Sequence, residues 1–286
     1  MKPLTLGYSP CPNDTFIFYA LAEKKIESPF DLDILISDVE ELNRRVGQGA
    51  LDVSKISANA AVNILDSYRL LRSGGAMGRG CGPLIVAGRP ANLQELRDAM
   101  IATPGDLTTA NLLLRLEGTH RGRRVPMQFD RIIPAVAAGE VDAGVIIHEG
   151  RWIYGAYGLH MVLDLGQWWE ASTGLPLPLG AIAAKRGLGE ETARLMEEKI
   201  RESLQYATAH PDEAWSYVRR HAREMEPEVI RLHIDAFVNE FSMDAGVEGE
   251  KAVRRLLEAA CALEGKTLGE RDLFCSRWTE IGQVRG

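Results

Sequence analysis

The sequence predicts an α/β fold with two domains, on three observations. Apolar runs of strand length alternate with segments of helical spacing through the first two thirds of the chain, the pattern that parallel sheets produce. Each strand-like run ends in a turn or a helix-start signal. The chain's 286 residues, 45% hydrophobic and 26% charged, suffice for two cores of ordinary size.

The elements follow in order. Leu4 to Tyr8 reads as the first strand. Ser9-Pro-Cys-Pro-Asn-Asp14 cannot extend it, because two prolines remove donors and fix φ. Asn13 or Asp14 then caps a helix from Thr15 to about Lys25, with Phe16, Tyr19, Ala20 and Ala22 on one side. Leu32 to Ile36 is a second strand, and Asp38 to Gly47 a short helix ended by glycine. Ala50 to Ile56 is a third strand, and Ser57 stands where an N-cap belongs before a helix from Ala58 to Leu65. The glycine-rich stretch Arg72 to Gly82 matches neither a dinucleotide nor a P-loop fingerprint. With so many glycines it reads as a loop, either lining a cleft or connecting two sheets.

Pro83 to Gly88 is an apolar strand, and Ala99 to Thr103 another, leading through Pro104-Gly-Asp-Leu107 to Thr108-Thr109-Ala110 and a leucine-rich helix. A helix start leaves backbone donors unpaired and carries positive potential, so this position suits an anion, while the two threonines serve as further donors or simply as caps. Phe129 to Gly139 is a strand end and short helix, Val141 to Ile147 a buried parallel strand, and Leu159 to Leu165 a further strand. Trp168 and Trp169 open a helix or lid, as core residues or as a stacking platform. Leu175 to Gly180 reads as an extended crossover and Ala181 to Lys185 as a strand. Four amphipathic helices follow, Thr192 to Ala209, Pro211 to His221, Pro227 to Phe237 and Gly249 to Leu263.

Composition excludes several functions. A net charge of -7 argues against a nucleic-acid surface, which needs clustered Lys and Arg. The basic cluster Arg115 to Arg124 lacks interleaved aromatics and reads as a solvated turn. No stretch approaches the ~20 apolar residues of a membrane span, and the N-terminus shows no signal-peptide pattern, so the expectation is a cytoplasmic protein. Cys11, Cys81, Cys261 and Cys275 show no CxxC spacing and predict reduced thiols rather than a disulfide framework or a zinc site.

The most informative residue is His148, which closes the run Val141 to Ile147. In open α/β sheets ligands sit beyond the carboxyl ends of strands, so this imidazole is either a base facing a cleft or a ring that satisfies a hydrogen bond at a strand end. Ser57 and Thr109 also lie at predicted strand or helix junctions on that edge.

The motifs Gly7-Tyr-Ser-Pro-Cys-Pro-Asn-Asp-Thr-Phe16, Ser73-Gly-Gly-Ala-Met-Gly-Arg-Gly80, Thr108-Thr-Ala110, Ile147-His-Glu149 and Gly174-Leu-Pro-Leu-Pro-Leu-Gly180, in this order, resemble the 1,4-dihydroxy-6-naphthoate synthase family of the futalosine route to menaquinone. The resemblance runs from about residue 4 to about residue 260. It implies a two-lobed class II periplasmic-binding-protein-like fold with a central cleft: residues 1–97 and 176–286 in a larger discontinuous domain, 98–175 in a smaller one. Ala209-His-Pro-Asp-Glu-Ala214 is similar to a helix junction of that fold's return segment. It also implies a carbon-carbon lyase, without metal or organic cofactor, acting on a small anionic aromatic substrate. The family's general base falls on His148, and its substrate-binding segments fall on Lys55-Ile56-Ser57 and Thr109-Ala110. Ala58 and Leu107 depart from the family pattern, which has an aromatic residue and a histidine there. Asp14 is a second polar contact or a helix cap. Chorismate dehydratase of the same pathway and a solute-binding protein for a small anion share the fold and stand as alternatives.

Overall fold

The computed structural model describes residues 3–222 and 226–276. Its first sheet has the order β2-β1-β3-β10-β4, from β1 (Leu4–Tyr8), β2 (Leu32–Ile36), β3 (Val53–Ser57), β4 (Tyr68–Gly78) and β10 (Leu177–Lys185). The second has the order β7-β6-β8-β5-β9, from β5 (Leu84–Ala87), β6 (Ile101–Thr103), β7 (Arg124–Pro126), β8 (Ala143–Ile146) and β9 (His160–Asp164). Strands β1, β2 and β3 are parallel, as the strand-helix alternation predicts, but β10 runs antiparallel to both β3 and β4. The sheets are therefore mixed rather than parallel. Likewise β8, predicted as a parallel strand, is parallel to β6 and antiparallel to β5.

Helices α1 (Pro12–Ala22), α2 (Val39–Gly47), α3 (Thr109–Glu117), α4 (Phe129–Ala137), α5 (Gly150–Ile153) and α6 (Leu165–Thr173) connect strands. The return segment supplies α7 (Glu190–Ala209), α8 (Pro211–His221), α9 (Pro227–Phe237), α10 (Glu240–Met243) and α11 (Gly246–Leu263). One face of the first sheet buries Leu6, Tyr8 and Val53 against α1, α7 and α8. The other packs Ile56, Leu70 and Ala183 against α2 and α11. Helix α4 covers the second sheet with Ile132, Ile133 and Val136. Trp169 is buried, its indole donating to the carbonyl of Pro176, so this tryptophan is core rather than lid, and Trp168 packs beside the same cluster.

Three local expectations fail for physical reasons. The glycine-rich stretch is not a loop: most of it lies in β4, an eleven-residue buried strand. Its glycines permit a close, irregular pairing with β10, since a Cβ on Gly74 would meet Ile182 at 2.8 Å and Ile200 at 2.9 Å, and Gly74 adopts φ +84. Helix α1 begins at Pro12, not Thr15, because a proline at the first helical position gives up an N–H that would have no partner there. Finally, β5 pairs with β8 and β9, so the first crossing between sheets falls between Gly78 and Leu84, upstream of the predicted boundary at residue 97.

The lobes touch through specific polar contacts. Glu40 on α2 accepts from the backbone N–H of Leu107 at 3.0 Å, and Thr109 donates to the carbonyl of Leu179 at 2.9 Å. Asn59 adds a bond to the carbonyl of Leu107 at 3.2 Å.

Candidate active site

Between the lobes lies a pocket enclosing about 690 Å³, counting the space that opens to solvent. Asp14, Lys55, Ile56, Ser57, Thr108, Thr109, Ala110 and His148 line it, whereas Trp168 and Trp169 are not among its lining residues. They come from the first turn of α1, the end of β3, the start of α3 and the loop after β8, the carboxyl edges on which ligands of α/β folds sit.

His148 has φ +54, the left-handed region that a side chain with a Cβ rarely adopts. Strain of this kind, on the order of 1–3 kcal/mol, persists only where surrounding contacts hold it. Here the Cys11 Sγ lies 3.6 Å from Nδ1 and 3.7 Å from Nε2 of the ring, and Phe129 meets it edge-on at 4.9 Å. Burial pushes the Cys11 thiol well above the ordinary range, so it stands beside the imidazole as a neutral S–H.

A buried charged network forms part of the pocket lining. Lys55 Nζ donates to Asp14 Oδ1 at 2.7 Å, and Asn13 Nδ2 donates to the same oxygen at 2.8 Å. The backbone N–H and the hydroxyl of Ser9 both donate to Asp14 Oδ2. Asp14 therefore neither caps α1 from its N-cap position nor stands as an isolated acid; its two oxygens take four donors and neutralise Lys55.

Ser57 does not cap either. Its backbone N–H donates to Asn43 Oδ1 at 2.8 Å and its hydroxyl accepts from Asn43 Nδ2 at 3.0 Å, while the element that follows is a six-residue 3₁₀ turn, Ala58–Asn63, rather than an α-helix. Thr108 is a true cap, accepting from the N–H of Asn111 at 3.3 Å. Helix α3 thus starts in the pocket wall, and the first backbone N–H groups of a helix have no partner within it. Thr109's hydroxyl is taken up by Leu179.

Two participants escaped the sequence reading. Asn43 holds Ser57, and the available signal was a polar residue on the buried stripe of α2 beside Leu42 and Val46. His233 on α9 is fully buried, with Nε2 2.9 Å from Asn13 Oδ1. Its segment carries only amphipathic spacing, which gives no hint of a neighbour more than two hundred residues away. No group of three or more His, Cys, Asp or Glu side chains among the described residues is arranged to hold a metal ion.

Two lobes of mixed sheet closing on a pocket define the periplasmic-binding-protein class of fold. The alkanesulfonate-binding protein SsuA from Xanthomonas axonopodis pv. citri, solved bound to MOPS, superposes with a TM-score of 0.67 over 96% of each chain at 14% identity, a likeness of fold alone. A crystal structure of an Archaeoglobus fulgidus protein is nearer, with a TM-score of 0.86 and 36% identity over 92% of this chain and 98% of that one. A family model described as menaquinone biosynthesis matches residues 4–262. Curated 1,4-dihydroxy-6-naphthoate synthases from Thermus thermophilus and Streptomyces coelicolor are 52% and 44% identical to this chain. The alignments cover 96% and 91% of this chain and 100% and 93% of theirs. The chain belongs to this menaquinone-biosynthesis family and is an enzyme of that route.

Proposed function

We propose that this enzyme converts cyclic dehypoxanthine futalosine to 1,4-dihydroxy-6-naphthoate with release of dihydroxyacetone, and that His148 is its general base. The observation that carries the reading is His148 itself, a strained strand-end imidazole in the wall of the pocket that Asp14 and Lys55 also line. A histidine is the side chain whose ordinary pKa suits proton transfer near neutral pH. It removes a proton from a hydroxyl or an activated C–H of the sugar-derived portion. The electron pair released drives cleavage of the carbon-carbon bond and aromatisation of the new ring. Base catalysis of this kind contributes ~10²- to 10⁴-fold, and enclosure between the lobes orients the substrate and excludes water.

The substrate's carboxylate needs donors without a surplus of cations, and the first turn of α3 at Thr108-Thr109-Ala110 supplies backbone N–H groups at the positive end of a helix dipole. Lys55, Ile56 and Ser57 form the facing wall. In this reading Lys55 lends positive potential through its ion pair rather than as a free charge. The ligand is a small anionic aromatic molecule, neither nucleic acid nor membrane takes part, and the enzyme works in the cytoplasm. Among the described residues no helix is long and apolar enough to cross a membrane.

The test is incubation of the purified protein with cyclic dehypoxanthine futalosine, following naphthoate by chromatography. Wild type turns over, and His148→Ala binds substrate but loses at least ~10²-fold in kcat. Undiminished turnover by His148→Ala ends the base assignment, and binding without turnover by the wild type points instead to a solute-binding role.

A further inference from the structure

The ring of His148 and the surface it rests on come from different lobes. His148 follows β8, and Phe129 opens α4, both in the second lobe; Cys11 precedes α1 and His233 sits on α9, both in the first. The His233 ring lies nearly parallel to that of His148, with centroids 5.7 Å apart and planes inclined by 14°. The contact continues along α5, where Trp152 packs 6.0 Å from His233 and 6.2 Å from Phe237.

We infer that His233 is a positioning residue: from the opposite lobe it presents the flat face against which the His148 ring is oriented when the two lobes meet. The inference rests on the reading of His148 as base given above. Its first support is an expense that packing alone does not require. His233 is 0% exposed, and its Nδ1 has no hydrogen-bond partner, a loss that an apolar side chain in the same place would avoid. The second is the rigidity of its support. Asn13 donates through Nδ2 to Asp14, so its Oδ1 faces His233, and His233 must carry its proton on Nε2 to donate there. One tautomer and one ring orientation follow, anchored through Asp14 to Lys55. The third is charge. Burial, then the neighbouring His148 and Lys55, hold the His233 pKa well below the ordinary histidine value, so His148 gains its proton beside a neutral ring rather than a cation. The ring of His148, on its left-handed backbone, lies in this seam between Cys11, Phe129 and His233.

Two variants of the full chain separate ring from hydrogen bond. His233→Gln keeps an N–H for Asn13 and removes the ring; His233→Phe keeps a flat ring and removes the donor. With cyclic dehypoxanthine futalosine as substrate, His233→Gln is expected to lose about 10- to 100-fold in kcat with KM within about threefold, the signature of a misplaced catalytic group. His233→Phe, which keeps the flat face but loses the bond to Asn13 that fixes its angle, is expected to lose less, about 3- to 10-fold in kcat. Wild-type kcat in His233→Gln, or an equal fall in both variants, overturns the inference. A readout free of substrate comes from the NMR spectrum of ring-labelled histidines, with the His148 signal assigned by its loss in His148→Ala. That signal shifts and broadens in His233→Gln if the seat is real, and a single, unshifted signal overturns it. If the wild type fails to turn over while the His148 signal still responds to His233→Gln, the reaction assigned above fails and the seating of the ring by His233 stands.

Discussion

Replacing Lys55 by methionine tests whether the floor of the pocket is held by charge pairing. Lys55 Nζ lies 2.7 Å from Asp14 Oδ1, with side chains 5% and 2% exposed. At an effective dielectric of ~20, two unit charges at that separation attract by about 6 kcal/mol. Much of this offsets the desolvation of both ions, and removing one partner of a buried pair costs ~3–5 kcal/mol. Asp14 retains three other donors, from Ser9 and Asn13, which places Lys55→Met at the lower end, about 3 kcal/mol. Adding Asp14→Asn removes the stranded charge and should recover about half of the loss, although one amide hydrogen then meets a donor. Urea unfolding of the four proteins of the cycle, at constant m value, gives the coupling energy. A cost for Lys55→Met below about 1 kcal/mol, or a double variant no more stable than Lys55→Met, would refute the assignment of this pair as a structural clamp.

Two further outcomes follow from burial and close approach. A Cβ on Gly82 would lie 2.3 Å from Gly166 Cα and 2.5 Å from its N, backbone on both sides, so Gly82→Ala should cost more than about 3 kcal/mol. Gly80→Ala, at φ +67 with open space around it, should cost only about 1–2 kcal/mol; equal losses in thermal denaturation would contradict the steric argument. The second concerns pH. Native His233 stays unprotonated while the unfolded chain takes up a proton near the ordinary histidine value, so stability is complete above about pH 6.5 and falls as pH drops below it. The fall attributable to this residue approaches ~1.4 kcal/mol per pH unit until the native value is reached. His233→Phe should show a shallower decline between about pH 6.5 and 5, since His221 and the other histidines are common to both proteins; superimposable slopes would show that His233 is not neutral in the native state.

Periodicity and turn chemistry made most of the architecture legible. The helices at Pro211 and Pro227 form with the predicted bounds because proline at the first turn and apolar residues at helical spacing act locally. The mixed sheets were not legible, because strand direction is decided by which distant strand offers a free edge, and β10 reaches β4 only after the chain has left for the second sheet. The glycine-rich segment misled for a related reason. Its glycines answer to Gly180 and Ile182 across the ladder and to Ile200 on α7, contacts that no local rule registers. In the candidate site, residues at strand ends and helix starts could be picked out, whereas Asn43 and His233 could not, since each is a polar residue on an otherwise ordinary amphipathic helix.

The distribution of those residues bears on how a binding fold becomes a catalyst. A two-lobed binder needs only that each lobe contribute contacts to a ligand. Here the first lobe also contributes contacts to the second lobe's histidine: Cys11 and His233 touch the imidazole, and the second lobe's Trp152 extends the same seam along α9 to Phe237. Glu40 and Leu179 meanwhile hold the start of α3, so the α3 end and the His148 end of the pocket are both pinned across the same gap. An opening of the lobes breaks all of these contacts together. If His148 is the base proposed above, closure does more than exclude water: it completes the orientation of that base, and a ligand too large to let the lobes meet is expected to bind without the imidazole in its seat.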